Sequence, residues 1–381
     1  MDNMTGESAL QQKVIAYRRA LHRVPELDFE LPRTRSFLLS VLEPLGFKIR
    51  DYGKAGFSAY YDCGKVETIA FRSDMDAVPI QEPVGCSFAS VHDGAMHACG
   101  HDGHMSMLLG LASQVAAHPE AATANSLLIF QAAEETIGGA KGLCNAGVLR
   151  DRNVSRIYAL HLWPDVPENT ILCRPNEFMA GTFVIDVAVA GRSAHIAEWQ
   201  IGADALEAGC SFVLRAYELD RELPKAVCRL IRFGEFFSGT ASNIISDRTR
   251  IMGTVRAFDN DTFAYFKTGL EKIMRDLERT MGVKFTYHKS EGYPPLINPP
   301  ELYSRTQATL TKAGFTWEES GAPNMQAEDF SYYQHEIPGL YMHLGMGGGA
   351  RLHNPDFTLN ESVLMTGVQI MWTLLKDGPP V

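Results

Sequence analysis

Apolar residues in the first part of the chain recur with two different periods. Val14, Ile15, Tyr17 and Leu21 fall near helical spacing, which predicts a helix over 11–22. Phe37, Leu38, Val41, Leu42 and Leu45 mark a second amphipathic stretch, with Pro32 suited to its first turn and Gly46 to its stop. Short apolar runs at 57–61, 68–72, 127–133 and 157–162 read as strands. Helices are expected between them at about 103–117 and 139–145. Strands separated by helices predict an α/β layer with a mainly parallel sheet.

The pattern changes near Gly181. Residues 182–189 alternate as a strand, 203–217 read as a helix, 226–233 and 250–258 as strands, 263–281 as a helix and 284–288 as a last strand. That order, β-α-β-β-α-β, is the ferredoxin-like arrangement, and it forms what looks like a complete α+β domain inserted into the first. After Gly292-Tyr293-Pro294-Pro295 the α/β pattern resumes with a helix at 301–313, a strand at 340–344 and a final helix at 363–375. The expected organisation is a discontinuous domain, 1–180 and 291–381, interrupted by a domain at 181–290, with hinges near 179–181 and 290–293.

Composition narrows the function classes. A chain of 381 residues, 45% hydrophobic and 21% charged, has room for a large core and two domains. The balance of Lys+Arg 35 against Asp+Glu 45 gives a net charge of −10, and no basic stripe is present, so nucleic acid is not an expected partner. No apolar run reaches the about 20 residues that span a bilayer, and no signal-peptide pattern opens the sequence. The seven cysteines lack framework spacing. Reduced thiols in a cytoplasm are the simplest expectation.

The densest chemistry lies at His97-Ala-Cys-Gly-His-Asp-Gly-His104, where three histidines, a cysteine and an aspartate share eight residues. Such side chains bind borderline metals such as zinc. Gly100 and Gly103 let the backbone turn so that Cys99 and His101 can converge on one ion. His97, Asp102 and His104 are weaker candidates, fitting supporting or capping roles, and Asp102 suits an N-cap. Glu134-Glu135 ends an apolar run. Two adjacent carboxylates there repel each other unless cations are near; one can bind metal while the other takes a proton from water. His161 ends another apolar run and must be hydrogen-bonded or ligating. His353 follows a Gly-rich loop that lacks the Gly-Lys-Ser/Thr of a P-loop. Taken singly, a core or surface histidine is the commoner meaning of each. Donors scattered along the chain, each near the end of a strand-like run, suggest a catalytic metal site at a sheet rim rather than a compact structural knuckle.

The segments Arg72-Ser-Asp-Met-Asp-Ala-Val-Pro79, Met96-His-Ala-Cys-Gly-His-Asp-Gly-His104, Gln131-Ala-Ala-Glu-Glu135, Ala159-Leu-His-Leu-Trp163, Ser193-Ala-His195, Ala327-Glu-Asp-Phe330 and Leu352-His-Asn-Pro355 occur in this order. With them the chain resembles, over nearly its whole length, the metallopeptidase-like amidohydrolases. That group comprises N-acyl-amino-acid, hippurate and indoleacetyl-amino-acid hydrolases and N-acetyl-diaminopimelate deacetylases. The resemblance implies a zinc-exopeptidase-like α/β domain and a lid or dimerisation domain at 181–290. It implies two divalent ions per subunit, zinc or manganese with cobalt or nickel as alternatives, held by Cys99, His101, Glu135, His161 and His353. It also makes Glu134 the general base, Asp76 an aspartate that orients a ligand, His195 an oxyanion-stabilising histidine reaching in from the lid or from a partner subunit, and Asn243 a substrate contact. A homodimer or homotetramer is the implied assembly. The chain departs from the usual pattern at Trp199-Gln200, Ile244-Ile245-Ser246-Asp247, Gln326 and Met105, none of them a proposed ligand. These departures bear on which acyl group and amino acid are accepted.

The expected activity is hydrolysis of the amide bond of an N-acyl amino acid, with Glu134 moving the proton and a metal and His195 stabilising the oxyanion. A dipeptidase or carboxypeptidase using the same two-metal site is the alternative. A non-catalytic metal-binding protein is a third reading, against which a second carboxylate, Glu134, beside a ligand weighs, since mere binding needs no base there. A redox role for Cys99 lacks the Cys-x-x-Cys it would need.

Overall fold

Two units emerge from the chain in a computed structural model that describes residues 2–83, 85–289 and 292–378. One unit covers 1–178, 297–322 and 329–381; the other covers 179–296 and 323–328. In chain order the elements begin with α1 (Asp2–His22), α2 (Pro32–Leu42), β1 (Lys48–Asp51), β2 (Gly56–Tyr61), β3 (Thr68–Asp74), α3 (His101–Ala117) and β4 (Asn125–Gln131). Next come α4 (Ala140–Asn145), β5 (Val154–Trp163), β6 (Thr170–Cys173), β7 (Asn176–Met179), β8 (Gly181–Ala190), α5 (Ala205–Glu222) and β9 (Arg229–Ser238). They continue as β10 (Arg248–Ala257), α6 (Asn260–Met281), β11 (Lys284–Lys289) and β12 (Leu296–Asn298). The last are α7 (Pro300–Lys312), β13 (Thr316–Glu319), α8 (Ser331–Gln334), β14 (Gly339–Gly345) and α9 (Val363–Lys376).

The first unit is built on an eight-stranded sheet of order β1-β2-β4-β3-β5-β14-β6-β13. Its centre is parallel: β3 pairs with β4 and with β5, and β14 pairs with β5. Antiparallel β2 and β1 close one side. Strands β3, β4 and β14 are buried along their whole length, as continuous apolar runs demand of a covered parallel sheet. Helix α3 is buried on nearly every side in its first three turns, which removes the one-sided period of a surface helix. It packs against α1, α9 and the sheet. The short strands β1 and β13 carry mostly exposed or half-exposed residues, so no apolar period marked them in the sequence.

In the second unit the strands run β11-β8-β10-β9, antiparallel throughout, with α5 and α6 as the two crossovers. This is the ferredoxin-like order that the element pattern predicts. Alternate residues Phe183, Ile185, Val187 and Val189 of β8 are buried, and α6 buries Phe263, Phe266, Leu270, Ile273, Met274 and Leu277. Asp204 and Asp259 cap the two helices by accepting backbone N–H groups from Leu206 and Thr262. The segment 323–328 joins this unit because the Ala180 N–H is shared between the carbonyls of Asn324 (2.9 Å) and Gln326 (3.0 Å). Of the hinge positions read from the sequence, Met179 ends β7 and Gly181 begins β8. Ser290 and Glu291 lie outside the described residues.

One local expectation is overturned. Asp102 does not cap α3: Gly100 occupies the N-cap in the left-handed region (φ 85°), and the helix begins at His101. Asp102 instead lies fully buried in the first turn. Its Oδ2 is 2.8 Å from Arg18 Nε and 2.7 Å from His22 Nδ1, and its Oδ1 accepts the Gly103 N–H at 2.9 Å. Burial alone would raise this carboxyl; Arg18 and His22 outweigh it and hold the group well below the usual carboxylate range. The pair thus anchors α3 to α1. Replacing Asp102 with Asn removes the fully buried counter-charge of Arg18 and leaves it only the Glu361 carboxylate, 3.3 Å from Nη1; the expected loss is about 3 kcal/mol, the lower end for breaking a buried pair. Urea unfolding of the variant measures this; a loss below about 1 kcal/mol, the worth of an exposed pair, would show that the anchor is dispensable.

Candidate metal centre

The carboxyl ends of the central parallel strands carry the candidate residues, the usual place for a site in an open α/β sheet. Asp76 follows β3, Glu134 and Glu135 follow β4, His161 lies near the end of β5, and His353 sits in the loop after β14. Cys99 and His101 arrive from the start of α3. The left-handed turn at Gly100 lets one side chain precede the helix and the other sit on its first residue. Ligand atoms of Cys99, His101 and His161 all lie within 4.8 Å of one another, as do those of Cys99, Glu135 and His353 and those of His101, Glu134 and Glu135. The three triads share members, so the six residues form one continuous cluster.

Hydrogen bonds fix which atoms face it. His101 Nδ1 donates to the Asp76 carbonyl at 2.8 Å, and His161 Nδ1 donates to the Leu162 carbonyl at 2.8 Å. Both Nε2 atoms are left for the cluster. His161 Nε2 stands 3.5 Å from Cys99 Sγ. His101 Nε2 is buried without a hydrogen-bond partner and lies 3.7 Å from Glu135 Oε1. The chain turns sharply at Ala133, whose φ is 56°, so that the next two amides aim at one carboxylate. Glu134 N–H donates to Asp76 Oδ1 (3.1 Å) and Glu135 N–H to Oδ2 (3.0 Å). His353 is also left-handed (φ 59°); its N–H donates to the Ala98 carbonyl and its Nε2 lies 3.0 Å from Glu135 Oε1.

The electrostatics call for cations. Burial, followed by the Glu135 and Glu134 charges, pushes the Cys99 thiol well above its ordinary value. Burial pushes His161 well below its own. Asp76 is raised by burial and by Glu135 and Asp74, against the two amides that favour its anion. A divalent ion held there would reverse this balance, favouring the thiolate and compensating the carboxylates. One thiol, three imidazoles and a carboxylate, with an orphaned buried His101 nitrogen among them, fit a borderline metal such as zinc.

The other sequence candidates separate. His97 is buried outside the cluster, both ring nitrogens lacking partners, and burial brings its pKa down to about 3. Both nitrogens of His104 are engaged, one by Asp74 and one by the Leu162 N–H. In the second unit His195 and Asn243 stand on adjoining exposed loops, with the Asn243 carbonyl accepting the Ile196 N–H at 3.0 Å. His195 Nδ1 accepts the Ala197 N–H at 3.2 Å, which leaves Nε2 as a donor. Asp74 was missed in the sequence. Its signal was there: Arg72 and Asp74 are opposite charges two apart at the end of a strand that opens with the apolar run Ile69-Ala70-Phe71.

Residues 70–377 match Peptidase family M20/M25/M40. The chain belongs to this family and is a hydrolase of amide bonds. A relative in Shouchella clausii, named N-acetyldiaminopimelate deacetylase, is 33% identical over 373 residues, covering 96% of this chain and 98% of the relative. The IAA-amino acid hydrolase ILR1-like 2 of Arabidopsis thaliana is 34% identical over 371 residues, 94% of this chain and 83% of that one. Among solved structures, the YXEP protein of Bacillus subtilis, described as a dinuclear metal-binding peptidase of the M20 family, matches with a TM-score of 0.84. The two are 28% identical, covering 97% of this chain and 98% of that chain.

Proposed function

We propose that this chain hydrolyses the amide bond of N-acyl amino acids, releasing a carboxylic acid and an amino acid. The observation that carries the reading is one continuous cluster of thiol, imidazole and carboxylate donors, buried at Cys99, His101 and His161 and open at His353, with a second carboxylate, Glu134, beside it. In this reading Cys99, His101, Glu135, His161 and His353 hold two divalent ions, a number supported by the similar structure described as a dinuclear metal-binding peptidase. Cys99 draws the choice toward zinc or cobalt, and the imidazoles and carboxylate also accommodate manganese. Bound ions would supply Lewis acidity toward a water and toward the amide carbonyl.

The chain's own residues then have defined tasks. Asp76 holds the amides of Glu134 and Glu135, so both carboxylates keep their place at the end of β4. Glu134 takes a proton from the attacking water at a carboxylate oxygen and delivers it to the amine nitrogen as the C–N bond breaks. His195 offers its Nε2–H to the oxyanion, and Asn243 contacts the substrate. The relatives named for deacetylation of N-acetyldiaminopimelate and for hydrolysis of IAA-amino acids support a small N-acyl amino acid as substrate.

The segment 181–290 acts as a lid and as the interface of a homodimer. Leu206, Cys210 and Leu214 form an exposed stripe at i, i+4 and i+8 on α5, and Phe237 on edge strand β9 is 63% exposed. Among the described residues no helix is long and apolar enough to cross a membrane. The seven free thiols suit a reducing cytoplasm.

Three variants and a sedimentation measurement test this reading. Glu134→Gln should keep its metal content and lower kcat by at least ~10²-fold on a panel of N-acyl amino acids and dipeptides. Near-normal turnover in the metal-loaded variant would remove Glu134 from the mechanism, and a preference for unblocked dipeptides would make the enzyme a dipeptidase. Cys99→Ala should lose at least one ion by elemental analysis, and chelation should expose Cys99 of the wild type to alkylation; full occupancy in the variant would refute the assignment. His195→Ala should depress kcat with metal content unchanged. Should sedimentation show an active monomer, the dimer half of the proposal fails while the lid half stands.

A further inference from the structure

The β3–β5 ladder runs only from Thr68↔Val154 to Arg72↔Ala159. Beyond it β5 continues to Trp163 and carries His161. Along this extension the Leu162 N–H is taken by a side chain: it donates to His104 Nε2 at 2.9 Å. Because that nitrogen accepts, the ring proton is on Nδ1, which donates to Asp74 Oδ1 at 2.7 Å. Asp74 Oδ2 receives Arg72 Nη1 at 2.8 Å. Arg72 in turn reaches Asp329 through Nη2 (3.0 Å) and Gln131 through Nε (3.0 Å). Gln131 donates to both Asp329 oxygens and accepts the Tyr333 hydroxyl at 2.9 Å. Arg72, Asp74 and Asp329 are each at most 4% exposed, so this network has no solvent to relax into.

Leu162 is used on both its polar groups. Its N–H is held by His104, and its carbonyl receives His161 Nδ1. The His104 and His161 rings also meet edge to face, centroids 4.5 Å apart and planes at 65°. The His161 ring is held at Nδ1 by the Leu162 carbonyl and is flanked by Trp163, ring centroids 5.5 Å apart; His104 makes two contacts with it, through the amide that joins His161 to Leu162 and through the ring edge.

We infer that His104, oriented by the Asp74–Arg72–Asp329 network, is the positioning residue for His161, setting the direction of its Nε2 by holding the amide that joins His161 to Leu162 and by packing against the His161 ring. The inference rests on His161 being a metal ligand. Within that reading it assigns His104 and Asp74 to metal affinity rather than to proton transfer. Partners that orient a ligating histidine typically govern affinity by about 10–100-fold.

The test uses apo-protein titrated with Zn²⁺ against a chromophoric chelator, and the cobalt-substituted protein read by its visible spectrum. His104→Leu should weaken one of two bound ions by about 10–100-fold and shift the cobalt bands. His104→Gln should recover most of the affinity, because its amide oxygen can accept the Leu162 N–H while its NH₂ donates to Asp74. If the Leu variant does not fold, His104→Asn, one methylene too short to span Asp74 and Leu162, carries the same expectation. Wild-type affinity and an unchanged cobalt spectrum in Leu or Asn variants would overturn the inference. So would equal weakening of both ions that Gln fails to rescue, since that pattern marks a merely structural role. His161→Ala separates the two layers. If it keeps both ions, the ligand assignment of His161 is wrong; if it loses one while His104→Leu loses none, only the positioning role is wrong.

Discussion

The Asp76 carboxylate is the point on which the centre's geometry depends. Its two oxygens take two successive amides after β4, and its own carbonyl takes His101 Nδ1. One residue therefore ties the end of β3 to the end of β4 and to the start of α3. Each tie satisfies a buried polar group that would otherwise cost about 1–3 kcal/mol. The turn at Ala133 follows from this: only a left-handed residue there lets neighbouring N–H groups converge on one anion.

Charge is the second constraint. Asp74, Asp76 and Asp329 are buried and Glu135 nearly so, and Arg72 is the buried cation between two of them. Burial alone would raise the Asp74 carboxyl; His101, His104 and Arg72 outweigh it and hold Asp74 well below the ordinary range. Among the described residues no Arg or Lys is paired with Glu135; burial alone would raise its carboxyl, and His353 and His101 outweigh it. A cluster so arranged is suited to compensation by bound cations, and its lone-pair donors face inward to receive them. Hydrolytic use of such a centre is in keeping with membership of peptidase family M20/M25/M40.

The two units solve different problems with the same chemistry of patterning. The first buries continuous apolar strands on both faces and leaves its polar residues to the strand ends. The second alternates buried and open residues on β8 and leaves apolar side chains on α5 and β9 at the surface. The apolar stripe left open on this α+β unit is the physical motive for the interface proposed above.

The order of elements was readable because strand runs and helical periods survive wherever one face, or both, must be buried. That is why the β-α-β-β-α-β unit stood out as a unit, and why β3, β4, β5 and β14 were recognisable from their apolar runs alone. Strands β1 and β13 were not, because they sit at the two edges of the sheet and their residues answer to solvent. The start of α3 was misplaced by two residues, since Gly100 can serve as a cap and His-Asp-Gly carries no helical period. The sequence by itself determined which donors exist: a thiol, histidines and paired carboxylates, each near a strand end or a glycine. Only the tertiary structure decided which atom of each donor faces the cluster. For His101 that choice is made by the Asp76 carbonyl, distant along the chain, and for His161 by the adjacent Leu162 carbonyl, which takes Nδ1 and leaves Nε2 for the cluster. A histidine's tautomer follows its hydrogen-bond partner, and no local pattern encodes a partner that the fold has yet to bring near.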